Sequence, residues 1–206
     1  LNMAINMVGT PLKQVILSEK LSYISDLCFA NCKDLETVNI INDVVYVGVK
    51  AFDNCTKLTD VVFSDIATAE FVYEYAFNNC TSLKSIVLPN SEFVLEGNVF
   101  ENCSTLETVT FNQNTKITNN LGNAFKGCTK LAKFTVDAEN PYYTSSNNLL
   151  LNNAGDTIVL AAPKYDYNEY TLPAGIKYVG DAAFSSISTL TKLNVSNDNS
   201  TAYLTE

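Results

Sequence analysis

Six cysteines are the residues of this 206-residue chain with the most distinctive chemistry, and five of them recur within the pattern F-x-x-C-x-x-L. Regularly spaced thiols raise the possibility of disulfides or of a metal centre. The chain has no histidine and no C-x-x-C pair, so a zinc site lacks its usual ligands. A cysteine or serine nucleophile also lacks the imidazole base that usually activates it. The sequence therefore predicts no metal, no cofactor and no nucleophilic catalysis.

The spacing of the cysteines argues against disulfides as well. Neighbouring elements of a repeat array pack roughly 8–10 Å apart, whereas a disulfide needs Cα atoms within about 7 Å of each other. We expect all six thiols to be buried and reduced. In three repeats the cysteine follows asparagine in an N-C-T or N-C-S sequon, which we attribute to the packing of the repeat; any glycosylation depends on the source organism. The cysteines that share one column are Cys32, Cys55, Cys80, Cys103 and Cys128.

A repeat with a period in the twenties positions these residues. Its phenylalanines are separated by 23, 25, 23 and 25 residues, and then by 59 residues before a sixth copy at Phe184. Such a period, with a leucine leading into alternating apolar residues, is typical of a leucine-rich solenoid. The first five phenylalanines of the repeat are Phe29, Phe52, Phe77, Phe100 and Phe125.

Each repeat divides into two halves. After the leucine come segments such as TDVVF and KSIVL, which predict one short parallel strand per coil. A second apolar position lies five residues before most of the phenylalanines, as at Ile24, Val47 and Val72. Between that position and the cysteine we expect one short helical turn on the opposite side of the coil. The segment LKQVIL at residues 12–17 predicts the strand of a first, degenerate coil.

The motifs "VGDAAFSSISTLTKLNV", A-F-x-x-C-x-x-L and "LPAGIKYVGDAAF" resemble the BspA-type leucine-rich repeats. These repeats are abundant in surface proteins of gut and oral bacteria and also occur in some parasitic protists. The resemblance extends from about residue 12 to residue 195. It implies an α/β solenoid, a right-handed leucine-rich repeat superhelix, together with secretion to the cell surface and adhesion to host or neighbouring-cell proteins.

We expect a single domain over residues 1–206, with an insert at about 137–171 that accounts for the long interval. Two apolar runs, 149–151 and 158–160, are joined there by the turn-forming NNAGD, which predicts a β-hairpin. This hairpin would replace the helical half of one coil.

Catalysis by a carboxylate pair is the remaining enzymatic possibility. On the predicted strands, Asp60 and Asp137 point outward but stand three coils apart, on the order of 14 Å at about 4.8 Å per strand. Glycosidases place their carboxylates roughly 5–9.5 Å apart. The sequence therefore predicts that the protein is not an enzyme.

The outward residues of the strands, on the concave face of the solenoid, include an apolar patch ringed by Thr and Asn. Such a patch favours protein binding, although ordinary β-propensity on an exposed sheet explains it equally well. A second, weaker candidate surface is the tyrosine-rich insert, whose rings could instead pack the insert onto the coils. The concave-face candidates are Ile16, Asn39, Ile41, Val62, Val87 and Thr110, and the insert candidates are Tyr142, Tyr143, Tyr165 and Tyr167.

Charge excludes other partners. The net charge is -9 and all 13 basic residues are lysine, so the sequence lacks the clustered basic surface and the arginine fork that bind nucleic acid. An anionic membrane is disfavoured for the same reason, and no run of 18 apolar residues predicts membrane insertion. We therefore expect a non-catalytic cell-surface recognition or adhesion module with a protein partner. The alternative is a structural spacer that holds another domain away from the cell surface.

Overall fold

In the computed structural model the chain winds into a parallel β-solenoid of about seven turns. The structure describes residues 6–17, 21–40, 44–64, 70–119, 121–164 and 167–195, and the backbone of residues 203–204. Two strands in most coils stack in register on those of the next coil, so that the repeats form two strand columns. Side chains that point into the coil alternate with outward ones, which encloses an apolar core that extends from Val15 to Phe134 and a second apolar cluster in the later coils.

The first strand column contains the predicted strands, which directly follow the leucine of each repeat. Its members form two three-stranded parallel sheets, β1-β3-β5 and β7-β9-β11. The edge strand β5 of the first sheet contacts the edge strand β7 of the second. These strands are β1 (Gln14–Ile16), β3 (Thr37–Ile40), β5 (Asp60–Phe63), β7 (Ser85–Val87), β9 (Thr108–Phe111) and β11 (Lys133–Val136).

A second strand column, which the sequence analysis did not predict, forms a five-stranded parallel sheet. Its first four strands contain the apolar position five residues before the phenylalanine, and this residue is buried in each of them. These strands are β2 (Tyr23–Ile24), β4 (Tyr46–Val47), β6 (Phe71–Val72), β8 (Glu92–Leu95) and β10 (Lys116–Ile117).

The predicted helical turn is wrong: within the described residues the chain has no helix, and the segment before each cysteine forms successive tight turns. Successive backbone amides of these turns donate alternately to a carbonyl of the same turn and to a carbonyl of the next coil. The amide of Ala30 donates to the carbonyl of Leu27 in its own turn, whereas the amide of Phe29 donates to the carbonyl of Ala51 in the next coil. Leu27 and Asn31 have φ angles of 57° and 59°, and such left-handed residues cannot continue a right-handed helix.

The same geometry explains the asparagine that precedes cysteine in the repeat. Asn54, Asn79 and Asn102 have φ angles of 56–60°, and Gly127 occupies the equivalent position with a φ of 75°. Asparagine and glycine tolerate this left-handed conformation better than other residues. The three N-C-T or N-C-S sequons therefore follow from a backbone requirement of the turn.

Beyond β11 the regular winding is interrupted by antiparallel strands. The predicted apolar runs lie in two of these strands, which pair as a hairpin. The second strand of the hairpin then pairs in parallel with a short later strand, which pairs in turn with the last strand of the chain. Strands β15 and β17 pair in parallel and form a separate two-stranded sheet. The strands of this region are β12 (Tyr143–Ser146), β13 (Leu149–Asn152), β14 (Thr157–Ala161), β15 (Glu169–Thr171), β16 (Tyr178–Val179), β17 (Lys192–Asn194) and β18 (Tyr203–Leu204).

The repeat phenylalanines form a ladder of stacked rings through the core. Successive ring centroids from Phe29 to Phe125 lie 5.2, 5.2, 5.5 and 5.5 Å apart, with interplanar angles of at most 8°. Stacked aromatic pairs add about 0.5–1.5 kcal/mol to the stabilisation from burial. The ladder therefore stabilises the contact between each coil and the next.

Candidate binding face

The first strand column has a buried side and an exposed side, because successive residues of a strand point to opposite faces of the sheet. In β5, Val61 is buried whereas its neighbour Val62 is exposed, and in β7 the same alternation buries Ile86 and exposes Val87. We call the outward side chains of β1, β3, β5, β7, β9 and β11 the strand face.

Strand register, together with the 25-residue repeat spacing between Val62 and Val87, places five of the predicted binding residues in one row of the strand face. Ile16 pairs with Asn39, and Asn39 pairs with Val62. Val87 in turn pairs with Thr110. Because neighbouring strands lie about 4.8 Å apart, this central row crosses five consecutive coils.

Three aliphatic side chains of the central row are open to solvent. Ile16 is 68% exposed, Val62 is 53% exposed and Val87 is 45% exposed. Asn39 separates Ile16 from Val62, whereas the strands that carry Val62 and Val87 contact each other directly. Ile41, the remaining predicted member of the patch, lies outside the described residues.

Charged side chains border the central row without entering it. Asp60, in the adjacent row, accepts a hydrogen bond of 2.6 Å from the hydroxyl of Thr59. At the edge of the coils Lys57 forms an ion pair of 2.7 Å with Asp34, and its hydrogen bond lowers the pKa of that carboxyl group. Pairs of this kind link successive coils but are worth little when exposed. The central row is therefore a neutral strip of apolar, Thr and Asn side chains.

The predicted tyrosines of the insert do not share one surface. Tyr143 packs edge-on against Phe111 at 5.4 Å, and its hydroxyl both donates to the carbonyl of Ile117 and accepts from its amide. Tyr142 is 39% exposed, with the ammonium of Lys116 over its ring at 5.1 Å.

The other two predicted tyrosines are Tyr165 and Tyr167. Tyr167 is partly buried and contacts the buried ring of Tyr170 at 5.0 Å, while Tyr165 lies outside the described residues. Within the described insert, Tyr142 is thus the candidate with the most exposed ring, and a joint tyrosine surface stays a weaker prediction.

Sequence reasoning missed a row of aromatic rings on the second strand column, formed by Tyr23, Tyr46, Phe71 and Tyr73. Neighbouring rings lie 5.3–6.3 Å apart. The sequence did contain a signal: in three successive repeats an aromatic residue directly precedes the inward apolar residue of the short strand. We call these four residues the aromatic row.

Four of the six thiols are poorly suited to chemistry. All six cysteines are free and buried. Burial raises the pKa of the Cys28 thiol to about 11 and that of Cys55 to about 12. It also raises the pKa of Cys80 and Cys128 well above the usual range. Since the thiolate is the reactive form, these four thiols favour a structural role.

The described part of the chain has neither a metal-binding cluster nor a membrane-spanning helix. No three or more Cys, Asp or Glu side chains in it are grouped so that they could hold a metal ion. Nor does that part contain a helix with the length and apolar character that a membrane crossing requires.

Comparison with known proteins identifies the family. The model of the BspA type leucine rich repeat region matches six copies of the repeat over residues 8–132 and 164–204. The chain belongs to this family. Among curated proteins no relative matches the chain.

Solved structures with the same fold are leucine-rich repeat proteins of bacteria. A leucine-rich repeat protein from Eubacterium ventriosum has a TM-score of 0.71 and 21% identity over 94% of this chain and 49% of its own. A leucine-rich repeat protein from T. pallidum has a TM-score of 0.54 and 24% identity over 88% and 69% of the two chains. A leucine rich cell surface protein from Faecalibacterium prausnitzii has a TM-score of 0.51 and 21% identity over 89% and 55%. The chain thus spans about half the length of the first of these relatives.

Proposed function

We propose that this chain is a non-catalytic recognition module of the cell surface, which binds a protein partner through the central row of the strand face. The observation that carries the proposal is the exposure of Ile16, Val62 and Val87 in one row, on strands whose inward positions alone serve the core. A solenoid leaves the outward residues of its stacked strands free to vary, which suits them to binding.

The composition of the strand face favours a protein as the partner. Val62 and Val87 are about half exposed, so burying each of them in a contact would contribute about half of the roughly 1.5–3 kcal/mol that complete burial of an aliphatic side chain contributes. Asn39 and Thr110 lie in the same row beside these valines and can form the polar rim that surrounds such contacts. A location at the cell surface is supported by the family and by the F. prausnitzii neighbour, which is described as a cell surface protein.

The test is a double substitution, Val62→Lys with Val87→Lys, measured against a panel of purified extracellular-matrix proteins. The matrix protein that wild type binds most tightly should lose at least tenfold in affinity, because two cations would enter an apolar contact. Wild-type affinity should change little with salt, since charge contributes little to the contact. The melting temperature should fall by no more than a few degrees, because both side chains point outward.

A matched control adds the same charge at a distance from the strand face. Asn123→Lys with Thr129→Lys places two lysines on exposed positions of the turns around Phe125. This control should bind as wild type does. If both double variants bind equally well, the central row is not the binding site. If wild type binds no member of the panel, the spacer function is favoured instead.

A further inference from the structure

The aromatic row is an ordered surface on the second strand column, separate from the strand face. Register places Tyr23 beside Tyr46 and Tyr46 beside Phe71. The ring centroids of Tyr23 and Tyr46 are 5.9 Å apart and tilted by 56°, whereas Tyr46 and Phe71 are stacked at 5.3 Å. Tyr23 is 37% exposed, and Tyr46 and Phe71 are partly buried. Several ring surfaces thus remain accessible along three coils.

A groove of about 460 Å³ runs beside the first two rings. Its lining residues are Ser22, Tyr23, Val45, Tyr46 and Glu70. The charged residue among them is Glu70, an exposed carboxylate whose own backbone amide bonds to the carbonyl of Val45 at 2.9 Å. The groove therefore combines aromatic rings with one negative charge.

A second carboxylate acts on the Tyr23 ring. Burial raises the pKa of the Tyr23 hydroxyl, and the negative charge of Asp26 raises it further. The carboxylate of Asp26 accepts a hydrogen bond from the amide of Val49 at 2.8 Å, and together with Glu70 it adds negative charge on the side of Tyr23. A chain with a net charge of -9 adds a negative potential at longer range.

Elsewhere in this chain, similar rings already contact cations. The ammonium group of Lys50 lies 5.5 Å from the centre of the Tyr75 ring, and that of Lys116 lies 5.1 Å from the centre of the Tyr142 ring. Both distances are within the roughly 6 Å at which a cation is attracted to an aromatic face.

We propose that the groove beside Tyr23 and Tyr46 binds a lysine or arginine side chain from a basic segment of a protein partner. The cation would lie against the two tyrosine rings and pair with the carboxylate of Glu70, while its alkyl stem contacts Val45. Charge complementarity selects this occupant, because the rings and both nearby carboxylates favour a cation. The proposal does not depend on the strand face, which lies on the other strand column and whose central row is neutral.

The experiment measures binding of a short oligolysine peptide by isothermal titration, in parallel with the same peptide after acetylation of every lysine. Wild-type protein should bind the charged peptide, with an affinity that falls as salt is raised, and should not bind the acetylated one. Tyr23→Leu should weaken binding about threefold, and Tyr23→Leu with Tyr46→Leu roughly tenfold, because each ring contributes a cation–π contact. Glu70→Gln should weaken binding about two- to fivefold.

Two matched controls separate this site from general attraction to an acidic protein. Tyr178 is 40% exposed and occupies, in a later coil, the position equivalent to that of Tyr23; Tyr178→Leu removes this ring. Glu107→Gln removes an exposed carboxylate elsewhere on the chain. Both should bind the charged peptide as wild type does. Equal losses in the control and site variants, equal binding of the acetylated peptide, or no binding at all would each overturn the proposal. Since Glu70 is exposed, its variant remains informative even if the ring substitutions destabilise the fold.

Discussion

The thiol of Cys128 donates a hydrogen bond to the backbone carbonyl of Phe100 in the preceding coil, with sulfur and oxygen 3.0 Å apart. The same contact joins Cys55 to Phe29 at 3.2 Å, one of several along the column. The carbonyl of Phe100 also accepts from the amide of Cys103 at 3.2 Å, so the thiol is its second donor and makes this bond without leaving the apolar core. Cysteine recurs in this repeat because it is small, apolar and a weak donor at once.

Replacing Cys128 with alanine should therefore lower the free energy of unfolding by about 1–3 kcal/mol, because the core loses the buried sulfur and the carbonyl of Phe100 keeps only the amide of Cys103 as a donor. The control is Cys28→Ala, since Cys28 occupies the column that holds alanine at Ala51 and Ala76 in other coils. Urea denaturation should show a clearly smaller loss for this control. Equal losses for both variants would mean that the hydrogen bond is not what the column requires.

Stability should decrease at alkaline pH because of the buried thiols. Burial raises the pKa of Cys55 from 9.0 to about 12 and that of Cys28 from 9.0 to about 11. Above pH 9 the unfolded chain releases these protons while the folded chain keeps them, so the contribution is full below pH 9 and is lost as the pH rises towards 12.

The measurement is urea denaturation in reducing buffer at about pH 8 and about pH 10.5. Each of the two thiols should lower the free energy of unfolding by about 1–2 kcal/mol between these values, at about 1.4 kcal/mol per pH unit. The variant Cys28→Ala with Cys55→Ala should show a correspondingly smaller decrease. A pH dependence identical to that of wild type would contradict the role assigned to these thiols.

The phenylalanine ladder predicts a large effect of truncation in the core. Phe77→Ala or Phe100→Ala should lower the free energy of unfolding by about 3–5 kcal/mol, because both rings are buried and stacked. Phe71→Ala removes a partly buried ring of the second strand column and should cost clearly less. Thermal denaturation measures all three. A melting temperature of Phe77→Ala within a degree or two of wild type would show that the ladder is not core.

Two glycines allow a test of how closely the coils approach. A Cβ atom at Gly48 would lie 2.7 Å from both the backbone nitrogen of Asp26 and the carbonyl oxygen of Ile24 in the preceding coil, whereas one at Gly97 would meet no atom within 4 Å. Gly48→Ala should therefore cost about 1–3 kcal/mol through overpacking, and Gly97→Ala should be nearly neutral. Urea denaturation compares the two, and similar stabilities would contradict the close approach at Gly48.

The amino-acid sequence by itself determined the repeat, the family and the first strand column. Phe77, Cys80 and Leu83 recur at constant spacing, and this period alone indicates stacked coils. Alternation within each strand separated inward residues such as Val61 from outward ones such as Val62, because a strand turns successive side chains to opposite faces. Five of the six predicted residues of the strand face could be placed on this basis.

Only the tertiary structure decided the conformation of the other half of each coil. Its turns resemble a helix in local sequence, but the amide of Phe29 bonds to Ala51 in the next coil, and Asn31 adopts a left-handed conformation. Such hydrogen bonds join residues more than twenty positions apart, so the local periodicity of the sequence cannot predict them. The alignment of Tyr23 with Tyr46 has the same origin, since it depends on the register between coils, which only the packed solenoid fixes.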